Sequence, residues 1–527
     1  MSSTPPPAAL GAKSIPQNPA LCAIVARTRH GVMISEMMDA AAQGAGMVEL
    51  RLDYLAKAPD FKRLFEKKPC QIITTIRRKP DGGKYAFKEE ERLALLRQAI
   101  VGGTDWVDLE WDVIDKIPRY GKVKRIVSYH NFQEIPSDIA AIYEKMCASD
   151  ADIVKVSCMG KSPEDNWNIL ELFKGAPKPT IAFCMGEVGI PSRILGGIMG
   201  APFAYSVHNP DRLVAPGLPS LKQLRTLYNY PRINRDTKVF GVVGDPIGHS
   251  LSPAIHNAAF RQTGFNGVYL PFLVPEQRFS EFLKGAHKFG IKGLSVTIPH
   301  KEMAAAAAVA SDALVRSTSS ANTLIPKEQG WEAYNTDYKA LVEALLVSLP
   351  PMPNGEPADL KARQVLLLGA GGVGRSVAFA LLQQGAIVTI SNRTPERAQR
   401  LASALNCRHI DWVTRHNVLA DIVINATSVG MYPDENESPL HQSFFRPGLV
   451  VFDTVYNPES TVFVKEARER GCVVITGLEL FIRQAAAQFA LFTGKAAPSE
   501  LMRQVARTAL ARISMGGKSN ASGASGK

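Results

Sequence analysis

The chain has 527 residues, too many for one ordinary core, so at least two folded units are expected. With 46% hydrophobic and 21% charged residues the composition is that of soluble globular proteins, and no run of ~18 or more apolar residues proposes a membrane span. The formal charge of +12 comes from Lys and Arg scattered along the chain without a basic tract interleaved with aromatics, which argues against a nucleic-acid partner and suits acidic small molecules.

Residues 1–20 are rich in Pro, Ala and Ser and lack the apolar stretch of a secretory signal, so they read as a disordered tail. With few basic residues the tail is slight for a transit peptide, which favours the cytosol, a plastid being the alternative in a plant. The 7 cysteines are odd in number and scattered, and none forms C-x-x-C. That pattern argues against a disulfide framework and a zinc site, predicts no bound metal, and fits a reducing compartment.

From Leu21 to about Tyr205, eight β-rich runs recur: LCAIVAR, MVELRLD, CQIITTIR, DWVDLEWD, KRIVSYHN, ADIVKVSC, TIAFCMG and AYSV. Helix-like stretches such as KEEERLALLRQAI separate them, and the span suits a closed parallel (β/α)8 barrel over residues 21–230. Side chains alternate along a strand, so Glu49, Arg51 and Asp53 share one face and Val48, Leu50 and Leu52 the other. Ser128 and His130 likewise share a face, as do Lys155 and Ser157. If the apolar faces pack on the outer helices, these charges converge inside the barrel near its C-terminal mouth. Lys155 then stands in an otherwise apolar strand, a setting that penalises the ammonium and favours the amine nucleophile. His130 on the neighbouring strand suits a general acid/base; a snorkelling Lys and a structural core His are the bland alternatives.

After a polar stretch from Tyr228 to Asp236 the pattern restarts with a strand, a Gly/Pro/Ser loop and a helix (KVFGVVGDPIGHSLSPAIHNAAF), and βα units continue to about Ala340. This lobe is expected to span 236–345 and to be completed by C-terminal helices over 478–513. LPPMPNGEPADLKA reads as a Pro-rich linker, and QVLLLGAGGVGRSVAFALLQQGAIVTISNRT opens a doubly wound nucleotide-binding lobe over 358–477. Residues 514–527 are Gly/Ser-rich and read as a second disordered tail.

Gly369, Gly371 and Gly374, with Gly372 in the same turn, form G-x-G-x-x-G between an apolar strand and a helix, where a pyrophosphate approaches the helix N-terminus. The second strand ends Ser391, Asn392, Arg393, Thr394, with Arg397 one turn on. The carboxylate that an NAD site uses on the ribose is missing, and two guanidiniums suit a 2'-phosphate, hence NADP(H). Ser250, Ser252, Thr297, Lys301, Asn322 and Asp337 supply hydroxyls, an amide and a Lys/Asp pair, which is what a polyol carboxylate needs for orientation and proton transfer.

GDPIGHSLSPAIHNAAF, SVTIPHK, ANT, NTD, GAGGVG, NRT, NATSVGM, DTVYNP and GLELFIRQAAAQF occur in the order of the shikimate dehydrogenase family, which residues Val239 to Thr508 resemble. The resemblance implies Lys301 and Asp337 as the catalytic pair and Ser250, Ser252, Thr297, Asn322, Tyr456 and Gln484 as substrate ligands. It also places Gly430 and Met431 near the nicotinamide, and Gly477 in the cofactor site. Ser320 and Ala340 stand where the family usually has Gly or Ala and Gly, respectively.

ELRLD, SYHNF, ADIVKVS and MGEVGIPSRILGG similarly resemble the type I 3-dehydroquinate dehydratases over Leu21 to Tyr228. That resemblance implies an imine on Lys155, proton transfer by His130, and Glu49, Arg51, Arg77 and Arg193 on the substrate's hydroxyls and carboxylate. Asp81 replaces a usual Glu, and Val214 and Leu218 replace the polar ends of a Ser-Ala-Pro-Gly-Gln lid. The two resemblances fit consecutive steps, from 3-dehydroquinate through 3-dehydroshikimate to shikimate. The rival readings are a dehydrogenase acting on shikimate or quinate with a decayed barrel, and a metabolite sensor without catalysis. Oligomeric state is not legible.

Overall fold

The computed structural model describes residues 20–209, 214–351, 356–432 and 434–522, the side chains only as far as residue 511. The expected N-terminal tail to residue 19, part of the expected linker (352–355) and the last five residues of the expected C-terminal tail lie outside the described residues. Residues 514–522 differ from expectation, because the closing helix continues through them as Ser499–Ser522. Each Gly costs a helix about 1 kcal/mol relative to Ala, but extending an established helix needs no new nucleation. Among the described residues no helix is long and apolar enough to cross a membrane.

The chain divides into two compact units: residues 1–239 with 245–248 and 266–290, and residues 240–244 with 249–265 and 291–527. The first unit carries β1 (Ala20–Val25), β2 (Met47–Arg51), β3 (Gln71–Thr75), β4 (Trp106–Glu110), β5 (Lys124–Asn131), β6 (Ile153–Met159), β7 (Thr180–Met185) and β8 (Phe203–Val207). Each of the eight expected runs forms one of these strands, and all pair in parallel in the order β7-β6-β5-β4-β3-β2-β1-β8. The barrel is nearly closed: among the described residues no ladder joins β7 to β8.

Alternation sets what the barrel holds. Met47, Ile73, Trp106, Ile126, Ile153 and Ile181 belong to one buried apolar cluster, and two residues further along these strands the inward positions become Glu49, Thr75, Asp108, Ser128 and Lys155, with Phe183 on β7 remaining apolar. Hydrocarbon thus fills the N-terminal end of the barrel and polar groups face its C-terminal end. Residues 266–290, which the sequence pattern assigns to the substrate lobe, fall with the barrel. Trp167 accounts for this, its ring centroid lying 4.9 Å from Phe289, 5.9 Å from Phe282 and 6.0 Å from Phe272.

A second sheet contains β9 (Lys238–Gly244), β10 (Gly267–Leu273), β11 (Gly293–Val296), β12 (Ala310–Ser311), β13 (Thr323–Lys327) and β14 (Gly330–Tyr334) in the order β10-β9-β11-β13-β14-β12. Here β13 and β14 form an antiparallel hairpin in place of a further βα unit. Its loop, Glu328–Gln329, is too short for a crossover, and the buried positions of β14 alternate as a half-covered antiparallel strand requires.

The third sheet comprises β15 (Gln364–Leu368), β16 (Ile387–Asn392), β17 (Arg408–Asp411), β18 (Ile422–Asn425), β19 (Val450–Asp453) and β20 (Val473–Ile475). All are parallel in the order β17-β16-β15-β18-β19-β20, the doubly wound dinucleotide-binding order.

Candidate active sites

Period-two alternation brings Glu49, Arg51, Arg77, His130 and Lys155, and the helix Ile190–Met199 brings Arg193, to the wall of a single pocket at the C-terminal end of the barrel. Lys155 is not in the apolar setting that its strand suggests. Its Nζ donates to Asp108 Oδ2 at 3.1 Å and lies 4.2 Å from the centre of the Tyr205 ring. Asp108 Oδ1 also faces Arg77 Nη2 at 2.8 Å and accepts from Ser128 Oγ at 2.5 Å. Burial alone would raise the Asp108 carboxyl, but the Arg77 and Lys155 charges, with His130 and the Ser128 hydrogen bond, hold it well below the usual carboxylate range.

Burial, reinforced by the Arg77 and Lys155 charges, pushes His130 well below the ordinary histidine value. The imidazole is therefore neutral at neutral pH, and its Nδ1 has no protein hydrogen-bond partner among the described residues. Arg77 is neutralised within the protein by Asp108 and Glu110, and Arg51 is held by Asp53 through two bonds of 2.9 Å. Arg193 differs. It is buried, lies 4.2 Å over the Phe183 ring and donates to the Pro216 carbonyl, with no carboxylate paired to it among the described residues.

In the second unit, strand register gathers the other set. Parallel pairing of β9 with β11 puts the loops bearing Ser250, Ser252 and Thr297 at one edge. The antiparallel β13–β14 pair brings Asn322 and the Asn335–Asp337 turn to the same edge. There Lys301 Nζ lies 2.7 Å from Asp337 Oδ2, both side chains about one-third exposed. Asn322 Oδ1 accepts from Thr336 N at 2.9 Å, and its Nδ2 reaches Gln484 Oε1 at 3.5 Å. Ser252 N donates to Ser250 Oγ at 3.3 Å. Tyr456 stacks on Phe481 at 5.5 Å, on the same helix, Gly477–Thr493, as Gln484.

The glycine-rich turn is built by crowding and by space. Gly369 has φ +109°, and a Cβ there would lie 2.6 Å from the Ala426 carbonyl oxygen; a Cβ at Gly374 would collide with the carbonyl of Gly369. At Gly371 and Gly372 a Cβ would meet nothing within 4 Å, which leaves the start of the helix Gly372–Gln383 open to a pyrophosphate. Asn392 Oδ1 accepts from Ala370 N at 3.1 Å, and Arg393, Thr394 and Arg397 are exposed beside this turn. Gly430 and Met431 follow β18, whose carboxyl end adjoins that of β15. Gly477 is packed on the Val455 carbonyl, 2.5 Å from where a Cβ would stand.

Residues 21–235 match the type I 3-dehydroquinase family, 242–324 the shikimate dehydrogenase substrate binding domain, 354–439 the shikimate/quinate 5-dehydrogenase family and 477–507 the shikimate 5'-dehydrogenase C-terminal domain. Over 520 residues, 94% of this chain and 86% of the relative, the sequence is 36% identical to the Arabidopsis thaliana protein named bifunctional 3-dehydroquinate dehydratase/shikimate dehydrogenase, chloroplastic. The chain belongs to this bifunctional family. A Chlamydia pneumoniae relative, named shikimate biosynthesis protein AroDE, is 30% identical over 454 residues, 85% of this chain and 90% of that protein. The shikimate dehydrogenase (NADP(+)) of Moorella thermoacetica is 39% identical over 296 residues, 54% of this chain and 98% of that protein.

Within the bifunctional dehydratase/dehydrogenase frame, the departures in the barrel have visible consequences. Asp81 lines the pocket but is tied to Arg78 Nε at 2.8 Å. Val214, Ala215 and Leu218 also line the pocket, and Leu218 joins the buried apolar cluster, so hydrocarbon stands where the family has polar lid groups. Asp108, Glu110, Tyr205 and Gln488 were not singled out by sequence, although the same alternation that marks Lys155 also marks Asp108 in WVDLE and Tyr205 in AYSV. Gln488 lies one helical turn beyond Gln484; its Nε2 donates to the Asn322 carbonyl at 3.0 Å and its Oε1 accepts from Ser295 Oγ at 2.7 Å.

Proposed function

We propose that this chain catalyses consecutive steps: Schiff-base dehydration of 3-dehydroquinate to 3-dehydroshikimate in the barrel, then NADPH-dependent reduction of 3-dehydroshikimate to shikimate. The observation that carries the reading is that one chain holds both Lys155, buried beside Asp108 in a pocket with a neutral His130, and the Lys301–Asp337 pair at an open sheet edge. In the barrel, the Lys155 amine adds to the substrate ketone and water leaves, giving a protonated imine. The imine withdraws electrons from the adjacent C–H bond, and His130 takes that proton and returns it to the hydroxyl leaving from the next carbon. Hydrolysis frees Lys155. Arg193 holds the substrate carboxylate, while Glu49, Arg51 and Arg77 orient the remaining groups.

In the reductase, Lys301 delivers a proton to the carbonyl oxygen and Asp337 holds the ammonium in place. Ser250, Ser252, Thr297, Asn322, Tyr456 and Gln484 orient the substrate. The turn at Gly369, Gly371, Gly372 and Gly374 would hold the pyrophosphate of NADP(H), with Asn392, Arg393, Thr394 and Arg397 on the 2'-phosphate side, Gly430 and Met431 toward the nicotinamide, and Gly477 also in the cofactor site. When bound, the cofactor supplies the hydride. We assign the barrel to 21–230, the substrate lobe to 236–345 with 478–513, and the cofactor lobe to 358–477. The described cysteines are all free, which suits a reducing compartment such as the cytosol.

The test is a coupled assay on the purified chain with 3-dehydroquinate and NADPH. Lys155→Ala should stop NADPH consumption from 3-dehydroquinate while reduction of added 3-dehydroshikimate continues. If the wild type reduces only added 3-dehydroshikimate, the barrel half of the proposal fails.

A further inference from the structure

We infer that Asp108 is the counter-ion of the barrel's reacting nitrogen, a positioning residue that holds the Lys155 nitrogen in place and stabilises the positive charge of the imine formed on it. The inference rests on the reading of the barrel as a Schiff-base dehydratase and adds a residue to it. Asp108 is fully buried on β4, and among the described residues its carboxylate is the one within hydrogen-bond reach of Lys155 Nζ, at 3.1 Å. Its other oxygen is fixed by Arg77 Nη2 at 2.8 Å and Ser128 Oγ at 2.5 Å, so the anion is anchored from the segment after β3 and from β5 and presented to β6. On the far side of the amine is the Tyr205 face at 4.2 Å, which also favours a cation.

The charge balance explains why an anchored anion belongs there. Ammonium plus ketone gives iminium plus water, so the nitrogen bears one positive charge before and after the step. A neutral imine is a poor electron sink, and a fixed anion beside the nitrogen favours the iminium over it. Asp108 is a weak base, because Arg77 and Lys155 both stabilise its charge. The transient proton removal that lets the amine attack therefore falls to the neutral His130. The other groups interacting with this nitrogen and its anion are Cys22 on β1, Arg77 after β3, His130 on β5 and Tyr205 on β8, while Glu49 and Arg51 on β2 and Arg193 line the same pocket as Lys155. Glu110 is engaged by Arg77 and Arg92, at 3.1 and 2.7 Å.

The experiment compares full-length wild type, Asp108→Asn and Asp108→Glu for kcat and KM on 3-dehydroquinate over roughly pH 6 to 10. Borohydride trapping of the substrate on Lys155 is measured alongside, and circular dichroism with urea unfolding of each variant reports that its barrel is folded. Asp108→Asn should lower kcat at least about tenfold with a smaller change in KM, and move the alkaline limb of kcat down by about one pH unit or more, with trapping failing over the same range. Asp108→Glu, which keeps the charge, should restore the alkaline limb toward its wild-type position. An alkaline limb unmoved in Asp108→Asn overturns the inference, as does an Asp108→Glu variant whose limb moves as far as that of the Asn variant. A wild-type chain that neither dehydrates nor traps substrate instead overturns the reading of the barrel itself.

Discussion

Burial pushes the Arg193 guanidinium down from its ordinary value, with only a small opposing contribution from Cys184. A buried cation without an anion is costly by several kcal/mol, and an entering carboxylate relieves that cost through a charge-assisted, two-pronged contact. Arg193→Ala should therefore raise KM for 3-dehydroquinate by about 10- to 100-fold and lower kcat less; steady-state kinetics of the barrel reaction check this, and an unchanged KM would place the carboxylate elsewhere. Lys155 shows the limit of sequence at this scale. Its position on an inward face follows from alternation along β6, but its counter-ion comes from β4, 47 residues away in the chain.

At the scale of elements, the two kinds of glycine in the nucleotide turn should behave differently. Gly374→Ala forces the helix Gly372–Gln383 off the carbonyl of Gly369 and should cost both stability and NADPH binding, whereas Gly371→Ala faces open space and should fold normally while raising KM for NADPH. Thermal unfolding read together with NADPH kinetics separates the two. The helix Ser252–Gln262 carries a pH dependence of its own, because burial pushes His256 from the ordinary 6.5 down to about 3. Between those values the unfolded chain holds a proton that the folded chain does not. His256 thus contributes stability above about pH 6.5 that is lost as pH falls toward 3, at about 1.4 kcal/mol per pH unit. Urea unfolding at successive pH values should show this slope, and His256→Gln should remove it.

At the scale of the whole chain, the first unit is larger than the barrel. Trp167, on the helix Asp165–Leu170, packs on three phenylalanines of residues 266–290, and Gly285 leaves the room, since a Cβ there would lie 2.6 Å from Trp167 Cδ1. Arg278 and Glu164 add an ion pair at 2.8 Å. Trp167→Ala should destabilise this unit by about 3–5 kcal/mol, the range for emptying a large aromatic site, while changing the barrel's kinetics on the folded fraction far less. Denaturant unfolding followed alongside dehydratase activity checks it, and a loss of activity without a loss of stability would refute the packing role.

Much of this was legible in one dimension. Eight alternating runs specified eight parallel strands, because a strand's period of two is local; G-x-G-x-x-G specified its turn, because steric freedom at a single residue is local too. The inward positions of Glu49, His130 and Lys155 followed from the same rule. What alternation cannot give is the neighbour across the barrel, since closing the sheet brings together residues from strands distant in sequence. Only the tertiary structure paired Asp108 with Lys155, left Arg193 without a carboxylate among the described residues while neutralising Arg77, placed Gln488 under Asn322, and drew residues 266–290 onto Trp167. These are consequences of packing, where the energy of a charge or a ring depends on what lies within a few ångströms rather than on what precedes it in the chain.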